Sequence, residues 1–305
     1  MDLARELALY GPDAPSPALP TAQEAEAYCW KLATGHYENF SVVSWLAPAR
    51  LRMPLAAIYG YCRWADDLAD ETSDPQESLR LLQWWEEQTH QLERAEATHR
   101  HPVFVLLAEM RKRFKISTAS LLDLLTAFRQ DQQKRSYATR AELLHYCRYS
   151  ANPVGRLVLG LVEAYDNENV KLSDEICTGL QLANFAQDVA RDFAIGRIYL
   201  PEEEYLAAGL SADDFGQPGK TDCWKRLLQM QVHAARHCFV NGKELPRQIP
   251  RELRPAIELF LAGGNSILDA IEKQQFDVWT KRPKLSRWQK GKLLGQVAWR
   301  TYWPF

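Results

Sequence analysis

The sequence predicts an all-α protein. Apolar residues recur with helical spacing along most of the chain, and no stretch alternates apolar and polar residues for more than a few positions. No internal repeat recurs at a fixed period. We therefore expect one helical domain, with helices near 21–38, 52–72, 75–96, 102–114, 117–135, 140–163, 173–194, 222–243, 251–276 and 285–300.

Local signals set the limits of several of these helices. Thr21 with Glu24, and Thr139 with Glu142, fit capping boxes, in which two side chains satisfy backbone N–H groups at the start of a helix. The Asn152-Pro153 pair predicts a break or kink in the helix expected over 140–163, because proline has no N–H and disfavours helical geometry in the residue before it.

Three segments follow from the distribution of residues. Residues 1–20 are expected to form an extended arm, because proline and glycine are frequent between positions 11 and 20. Residues 21–280 form the predicted helical domain. Residues 281–305 form a tail that is rich in basic and aromatic side chains.

Composition excludes several classes of protein. With 46% hydrophobic and 25% charged residues, the chain of 305 residues fits a soluble globular protein. A net charge of −2 gives no support for a nucleic-acid partner. No apolar run approaches the ~18 residues of a membrane span. The six cysteines are scattered without zinc-type spacing, and the N-terminus lacks a signal pattern, so we expect a cytoplasmic protein with reduced thiols.

Two acidic stretches carry the strongest functional signal. Asp66 and Asp70 are four residues apart, as are Asn184, Asp188 and Asp192, so each set falls on one face of its predicted helix. Mg²⁺ prefers oxygen ligands and commonly joins carboxylates to phosphates. We therefore expect two facing acidic helices that hold a diphosphate through Mg²⁺. A solvated acidic turn near a helix end is the alternative for the first stretch taken alone.

A basic residue follows the second stretch. Gly196 is expected to end that helix, which brings Arg197 close to the carboxylate face. A guanidinium there can bind a phosphate oxygen directly. A surface salt bridge is the alternative for Arg197.

The motifs together resemble the squalene/phytoene synthase family, whose members are all-α isoprenoid enzymes. The segments that carry the resemblance keep the family's order and spacing, and they are residues 40–41, 59–70, 146–155 and 184–201. Within the family, residues 36–40, 149–156 and 184–189 are most similar to hydroxysqualene synthases of bacterial hopanoid biosynthesis. Head-to-head synthases more often have Val-Ala-Gly where this chain has Ser150-Ala151-Asn152, which speaks against simple squalene or phytoene synthesis.

The resemblance implies an isoprenoid synthase fold, with helices around a central cavity, and it implies roles for the acids. Asp66, Asp70, Asp188 and Asp192 would hold Mg²⁺ and diphosphate, with Asn184 as a neutral oxygen ligand. Tyr146 matches the tyrosine that the family links to its carbocation chemistry.

The resemblance also implies residues that bind substrate. Arg63 and Arg197 would contact phosphate oxygens, and Tyr59 and Tyr199 would supply hydroxyl groups nearby. The other implied positions are Phe40 and Ser41 in a flap, Asp131 and Gln181 in the cavity wall, and Ser150 and Asn152 at the helix break. The break itself has two interpretations: a kink that only packs well, or one that places a water beside the cation.

The expected reaction is Mg²⁺-assisted ionisation of presqualene diphosphate, with water capturing the cation to give hydroxysqualene and diphosphate. The principal alternative is head-to-head condensation of two prenyl diphosphates to squalene, dehydrosqualene or phytoene. Chain-elongating synthases usually carry a double Asp on both helices, which this chain lacks at Asp188-Val189. Some relatives are non-enzymatic assembly factors, but those are expected to lose acids that are present here.

The tail suggests a second kind of partner. Residues 281–292 are basic and residues 297–305 are aromatic, a combination that suits the surface of a membrane. Peripheral contact with the inner face of the membrane is one expectation, and a tail folded onto the domain is the other. Functional coupling to other hopanoid-pathway enzymes follows from the resemblance.

Overall fold

The computed structural model describes residues 1–15, 19–35, 47–72, 74–94 and 98–302. Its α-helices are α1 (Leu3–Tyr10), α2 (Ala22–Gly35), α3 (Ala49–Asp70), α4 (Pro75–Gln91), α5 (Pro102–Arg111), α6 (Thr118–Gln133), α7 (Arg140–Ser150), α8 (Asn152–Leu161), α9 (Asn167–Ala194), α10 (Glu202–Ala207), α11 (Thr221–Gly242), α12 (Leu245–Gln248), α13 (Arg254–Lys273) and α14 (Arg287–Tyr302). The prediction of an all-α fold is confirmed. No helix within the described ranges is both long and apolar enough to cross a lipid bilayer.

The predicted break at Asn152-Pro153 is confirmed. Helix α7 ends at Ser150 and α8 begins at Asn152. The capping box at the start of α2 is also present: the Thr21 N–H donates to the Glu24 carboxylate (2.8 Å), and the Glu24 N–H donates to the Thr21 hydroxyl (3.2 Å). These local signals were reliable because each depends only on residues close in sequence.

The structure corrects the predicted arm and the predicted start of α9. The extended arm over residues 1–20 is interrupted by α1, which begins where the Asp2 carboxylate accepts a hydrogen bond from the Arg5 N–H (3.2 Å). The helix expected from 173 begins at Asn167. There the Asp166 carboxylate accepts hydrogen bonds from the N–H groups of Glu168 (2.9 Å) and Asn169 (2.8 Å).

The chain divides into two compact units. The first comprises Met1–Gln133 with Arg156–Tyr165, and the second comprises Lys134–Gly155 with the residues from Asp166 onward. The boundaries predicted from the sequence, at 21–280 and 281–305, stay predictions.

In the first unit, α3 packs against α2, α4, α5 and α6. Its inner face inserts large aromatic side chains into the core. The rings of Trp64 and Trp85 stack with centroids 5.4 Å apart, and the Tyr61 hydroxyl donates to the Leu121 carbonyl of α6 (3.0 Å). Because all these groups are buried, the position of α3 is firmly set.

In the second unit, α9 packs against α7, α11, α12 and α13. The ring of Phe239 on α11 lies between glycines of two neighbouring helices. A Cβ atom on Gly179 of α9 would lie 2.8 Å from this ring, and one on Gly264 of α13 would lie 2.5 Å from it. Side chains at these glycines would meet the ring, so the three helices approach closely only because both positions lack a Cβ.

Candidate active site

The first acidic stretch lies on the C-terminal turns of α3, in the first unit. Tyr59, Arg63, Asp66 and Asp70 follow one another at helical spacing and share one face of the helix. The Asp66 side chain is 48% exposed and Asp70 is exposed, so solvent reaches both carboxylates. The predicted acids and the predicted arginine of this stretch are therefore brought together.

Asp67, between these acids, is buried. Its carboxylate pairs with the Arg63 guanidinium and lies 3.5 Å from the Met1 ammonium. Burial raises the pKa of Asp67, while the charges of Arg63 and of the N-terminal ammonium oppose the rise. Arg63 also lies 3.5 Å from Asp66 and 3.7 Å from Glu71.

Two other predicted residues of this unit differ in burial. Tyr59 is half-buried on α3, and Asp131 is buried on α6. Phe40 and Ser41 lie outside the described residues.

The second acidic stretch lies on α9, in the second unit. Asn184 is exposed, Asp188 is buried and Asp192 is half-buried. The Asn184 side-chain amide donates a hydrogen bond to Asp188 Oδ2 (3.2 Å), which confirms that these two residues share a face. Burial, and then repulsion by Asp188, raise the pKa of Asp192 to about 7, although nearby arginines oppose this shift.

An arginine that the sequence did not single out lies on this stretch. Arg282 Nη2 donates to Asp188 Oδ2 (3.0 Å) and to Gln187 Oε1 (3.3 Å), and Arg282 Nε also donates to Asp188. Gln187 in turn donates to the Pro283 carbonyl (2.6 Å). In the sequence Arg282 falls among the basic residues of the tail, and no local pattern links it to Asp188, which is 94 residues away.

Gly196 ends α9 as predicted. It has a φ of +76°, in the left-handed region that glycine adopts without strain, and the next N–H, that of Arg197, donates to the Asp192 carbonyl (2.8 Å). The positive charge of Arg197 opposes the rise in the pKa of Asp192, so the guanidinium lies within electrostatic reach of that carboxylate.

Four aromatic rings gather beside this acidic stretch. Tyr146 of α7 lies 5.6 Å from Tyr199 and 6.2 Å from Phe185 between ring centroids, and Tyr137 lies 5.4 Å from Tyr146. Phe185 and Tyr199 also line a small cavity together with Asp192 and Arg197. An acidic residue, an arginine and two aromatic residues thus line the same cavity.

Tyr137 was missed by sequence analysis. It reaches the other rings because the segment before α7 pairs with the segment after α9. The Ile198 N–H donates to the Arg135 carbonyl (2.7 Å), and the Glu202 N–H donates to the Tyr137 carbonyl (2.9 Å). An aromatic residue in a connecting segment gave no periodic signal by which to find it.

The residues at the helix break lie against α9. Asn152 is buried, and its side-chain oxygen accepts a hydrogen bond from the Thr178 hydroxyl (3.0 Å). The Ser150 hydroxyl oxygen is buried and makes no hydrogen bond with the part of the chain that the structure describes. Gln181 is half-buried, one turn beyond Thr178 on α9.

The oxygen-rich stretches fit a hard cation by the chemistry of their donors. Carboxylate and amide oxygens are the ligands that Mg²⁺ takes. The raised pKa of Asp192 reflects, after burial, negative charge that its surroundings do not fully neutralise. Among the described residues, however, no group of three or more His, Cys, Asp or Glu side chains is arranged to hold a metal ion.

The chain is similar in sequence to known proteins of one family. It matches the squalene/phytoene synthase family over residues 33–289. It is 35% identical, over 73% of its own length and 74% of the relative's, to a hydroxysqualene synthase from Rhodopseudomonas palustris. It is 28% identical to a 15-cis-phytoene synthase from Synechococcus elongatus, over 92% and 94% of the two chains.

Solved structures of related proteins have the same fold as this chain. A squalene synthase from Alicyclobacillus acidocaldarius is 38% identical, with a TM-score of 0.79 over 84% of this chain and 95% of that one. A dehydrosqualene synthase is 25% identical, with a TM-score of 0.83 over 91% and 96%.

The chain therefore belongs to the squalene/phytoene synthase family and has its all-α isoprenoid synthase fold. It is an enzyme of isoprenoid biosynthesis that acts on isoprenoid diphosphates. Members of this family ionise such diphosphates, generally with the help of a metal ion.

Proposed function

We propose that the protein ionises presqualene diphosphate and captures the carbocation with water, giving hydroxysqualene and diphosphate. One observation supports the proposed ionisation: Phe185 and Tyr199 line the same cavity as Asp192 and Arg197. When the diphosphate leaves, the negative charge that develops on it must be neutralised. The carbocation left behind is stabilised by aromatic rings nearby. The choice of product rests on the hydroxysqualene synthases of Rhodopseudomonas palustris and Sinorhizobium fredii, which are 35% and 34% identical to this chain.

In this proposal the acidic stretches hold the diphosphate. The residues that would hold Mg²⁺ are Asp66, Asp70, Asp188 and Asp192, with Asn184 as a neutral ligand. When bound, Mg²⁺ neutralises the charge that develops on the leaving diphosphate. Arg63 and Arg197 donate hydrogen bonds to phosphate oxygens, as guanidinium groups commonly do.

The aromatic residues act on the cation. The rings of Tyr146, Phe185 and Tyr199 present π faces, each worth about 1–2 kcal/mol to a desolvated cation. Such faces also keep bulk water away, so that only a positioned water reaches the reactive carbon.

The helix break is the proposed place of that water. Asn152 is held by Thr178, so its amide is fixed, and the nearby Ser150 hydroxyl can bind a further group. Tyr59, Asp131 and Gln181, together with the flap residues Phe40 and Ser41, complete the substrate-binding residues of the proposal.

The decisive experiment follows the oxygen atom. Purified protein is incubated with Mg²⁺ and presqualene diphosphate in ¹⁸O-labelled water, and the products are analysed by mass spectrometry. Labelled hydroxysqualene is expected. The second candidate, head-to-head condensation, draws support from the 28% identity to a phytoene synthase over 92% of this chain. A hydrocarbon formed from farnesyl diphosphate as the only substrate would favour that candidate.

We also propose that the C-terminal segment contacts the inner face of the membrane, so that the protein is cytoplasmic and peripheral. Residues 281–302 contain no acid and seven lysines or arginines. The Trp288 side chain on α14 is 76% exposed, with Lys292 Nζ 5.9 Å from the centre of its ring. Exposed tryptophan beside cations suits the headgroup region of an anionic bilayer. Functional coupling to other enzymes of hopanoid synthesis belongs to the same proposal.

A further inference from the structure

Adjacent aspartates on α3 have opposite environments. The Asp66 side chain is 48% exposed, whereas the Asp67 side chain is only 2% exposed. Successive side chains of a helix point about 100° apart, so the two carboxylates do not lie on the same face of α3. Asp66 belongs to the solvent-facing stripe with Asp70, and Asp67 belongs to the interior.

The buried carboxylate holds a cation. Asp67 Oδ1 pairs with Arg63 Nη2, one helical turn earlier, and the Arg63 side chain is itself only 17% exposed. The other two acids near this guanidinium, Asp66 and Glu71, lie farther away at 3.5 and 3.7 Å and are roughly half exposed. Exposed pairs contribute little, whereas removing one partner of a buried pair leaves a costly unpaired charge. Asp67 is therefore the acid that sets where the Arg63 guanidinium lies.

We propose that Asp67 is a positioning residue for diphosphate recognition: it holds Arg63 in the orientation that binds phosphate oxygens, and it takes no part in binding metal. The inference deepens the proposed function, because it rests on the assignment of Arg63 to the diphosphate. It divides the Asp66-Asp67 pair into one residue that faces the ligand and one that acts only through its neighbour.

Binding of inorganic diphosphate tests this directly. Titration calorimetry with Mg²⁺ present compares the wild type with Asp67→Asn, and Glu71→Gln serves as the matched control because Glu71 also lies near Arg63 but is exposed. Loss of the carboxylate charge that pairs with Arg63 predicts a Kd raised on the order of tenfold in Asp67→Asn. Glu71→Gln is expected to change the Kd less than about twofold. An unchanged Kd in a folded Asp67→Asn protein would overturn the proposal.

A double-mutant cycle separates positioning from a general structural effect. Arg63→Gln is expected to weaken diphosphate binding by itself, and adding Asp67→Asn to it should cause no further loss, because the two residues act as one unit. A second loss of similar size would mean that Asp67 acts independently of Arg63. An Arg63→Gln variant with unchanged binding would equally overturn the inference.

A metal readout distinguishes the two aspartates. Mn²⁺ binding followed by electron paramagnetic resonance should weaken in Asp66→Asn and stay unchanged in Asp67→Asn. Circular dichroism melts report folding, and if Asp67→Asn does not fold, Asp67→Glu replaces it, with a smaller loss expected. These measurements use inorganic diphosphate, so their outcome is independent of whether the wild-type product is hydroxysqualene.

Discussion

The rings of Phe185 and Tyr199 stack with centroids 4.2 Å apart and an angle of 8° between their planes. Phe185 comes from the middle of α9, and Tyr199 follows the end of that helix. The stack therefore connects the acidic helix to the segment that carries Arg197. It keeps both rings beside the cavity that Asp192 also lines.

Replacing Phe185 by leucine should slow the reaction. The variant loses one aromatic face and the stack, so we expect the kcat for Mg²⁺-dependent diphosphate release to fall on the order of tenfold. Phe193→Leu is the control, because that ring lies further along α9 against Phe215 and Trp279. A Phe185→Leu enzyme with normal kcat would argue against a role for this stack in stabilising the cation.

Replacing the adjacent glycines of α13 by alanine should have opposite effects on the stability of the protein. In Gly264→Ala the new methyl group lies too close to the Phe239 ring, so the free energy of unfolding measured in urea should fall by about 1–3 kcal/mol. At Gly263 nothing lies within 4 Å of the added Cβ, and Gly263→Ala should stabilise the helix by about 0.5–1 kcal/mol. Equal effects at the two positions would contradict the close packing around Phe239.

Acid should destabilise the first unit through His101. This side chain is fully enclosed by aromatic rings, and its Nδ1 accepts a hydrogen bond from the Val103 N–H (3.2 Å). Burial lowers its pKa well below the ordinary value of 6.5. Below about pH 6.5 this histidine is therefore protonated in the unfolded chain and neutral in the folded chain. The free energy of unfolding then falls with pH, by at most about 1.4 kcal/mol per pH unit.

The measurement is the urea midpoint at pH values between 7.5 and 5. His101→Asn retains a group that can cap α5 but does not titrate, so its midpoint should depend less on pH than that of the wild type. Identical slopes for wild type and His101→Asn would show that other groups cause the acid sensitivity.

Loss of Arg282 should loosen the segment after α13. Arg282→Gln removes the guanidinium from the buried Asp188 carboxylate, which should lower the free energy of unfolding by about 2 kcal/mol. The same variant should be cleaved faster by a protease between residues 274 and 286. Lys284→Gln, at an exposed neighbouring position, should change neither quantity.

Charge reversal in the tail tests the membrane proposal. Lys284→Glu with Lys292→Glu should reduce flotation with vesicles of phosphatidylglycerol and phosphatidylcholine several-fold, since each cation contributes about 1 kcal/mol near an anionic surface. Lys171→Glu with Lys243→Glu makes the same change in net charge at exposed positions elsewhere. If both double variants float as well as the wild type, the tail does not bind the bilayer.

Sequence patterns predicted the fold because helical periodicity and capping are local. They also placed Asn184, Asp188 and Asp192 on one face, since spacing alone decides that. They paired Asp66 with Asp70, but they could not show that Asp67 is buried, because burial depends on which neighbouring helices cover α3. Tyr137 and Arg282 were missed for a related reason: each reaches its partners through the folded path of the chain, which no local pattern records.

The hydrogen bonds of Arg282 and Pro283 to α9 have a consequence for chain length. Residues 274–281 connect the end of α13 to this docking point, and the bonds at 2.6–3.3 Å tolerate little displacement. Deleting one connecting residue would shift Arg282 by up to about 3.6 Å, more than the length of any of these hydrogen bonds. Insertions and deletions between α13 and Arg282 should therefore be as damaging as replacing the arginine, although half of the residues between 274 and 281 are exposed.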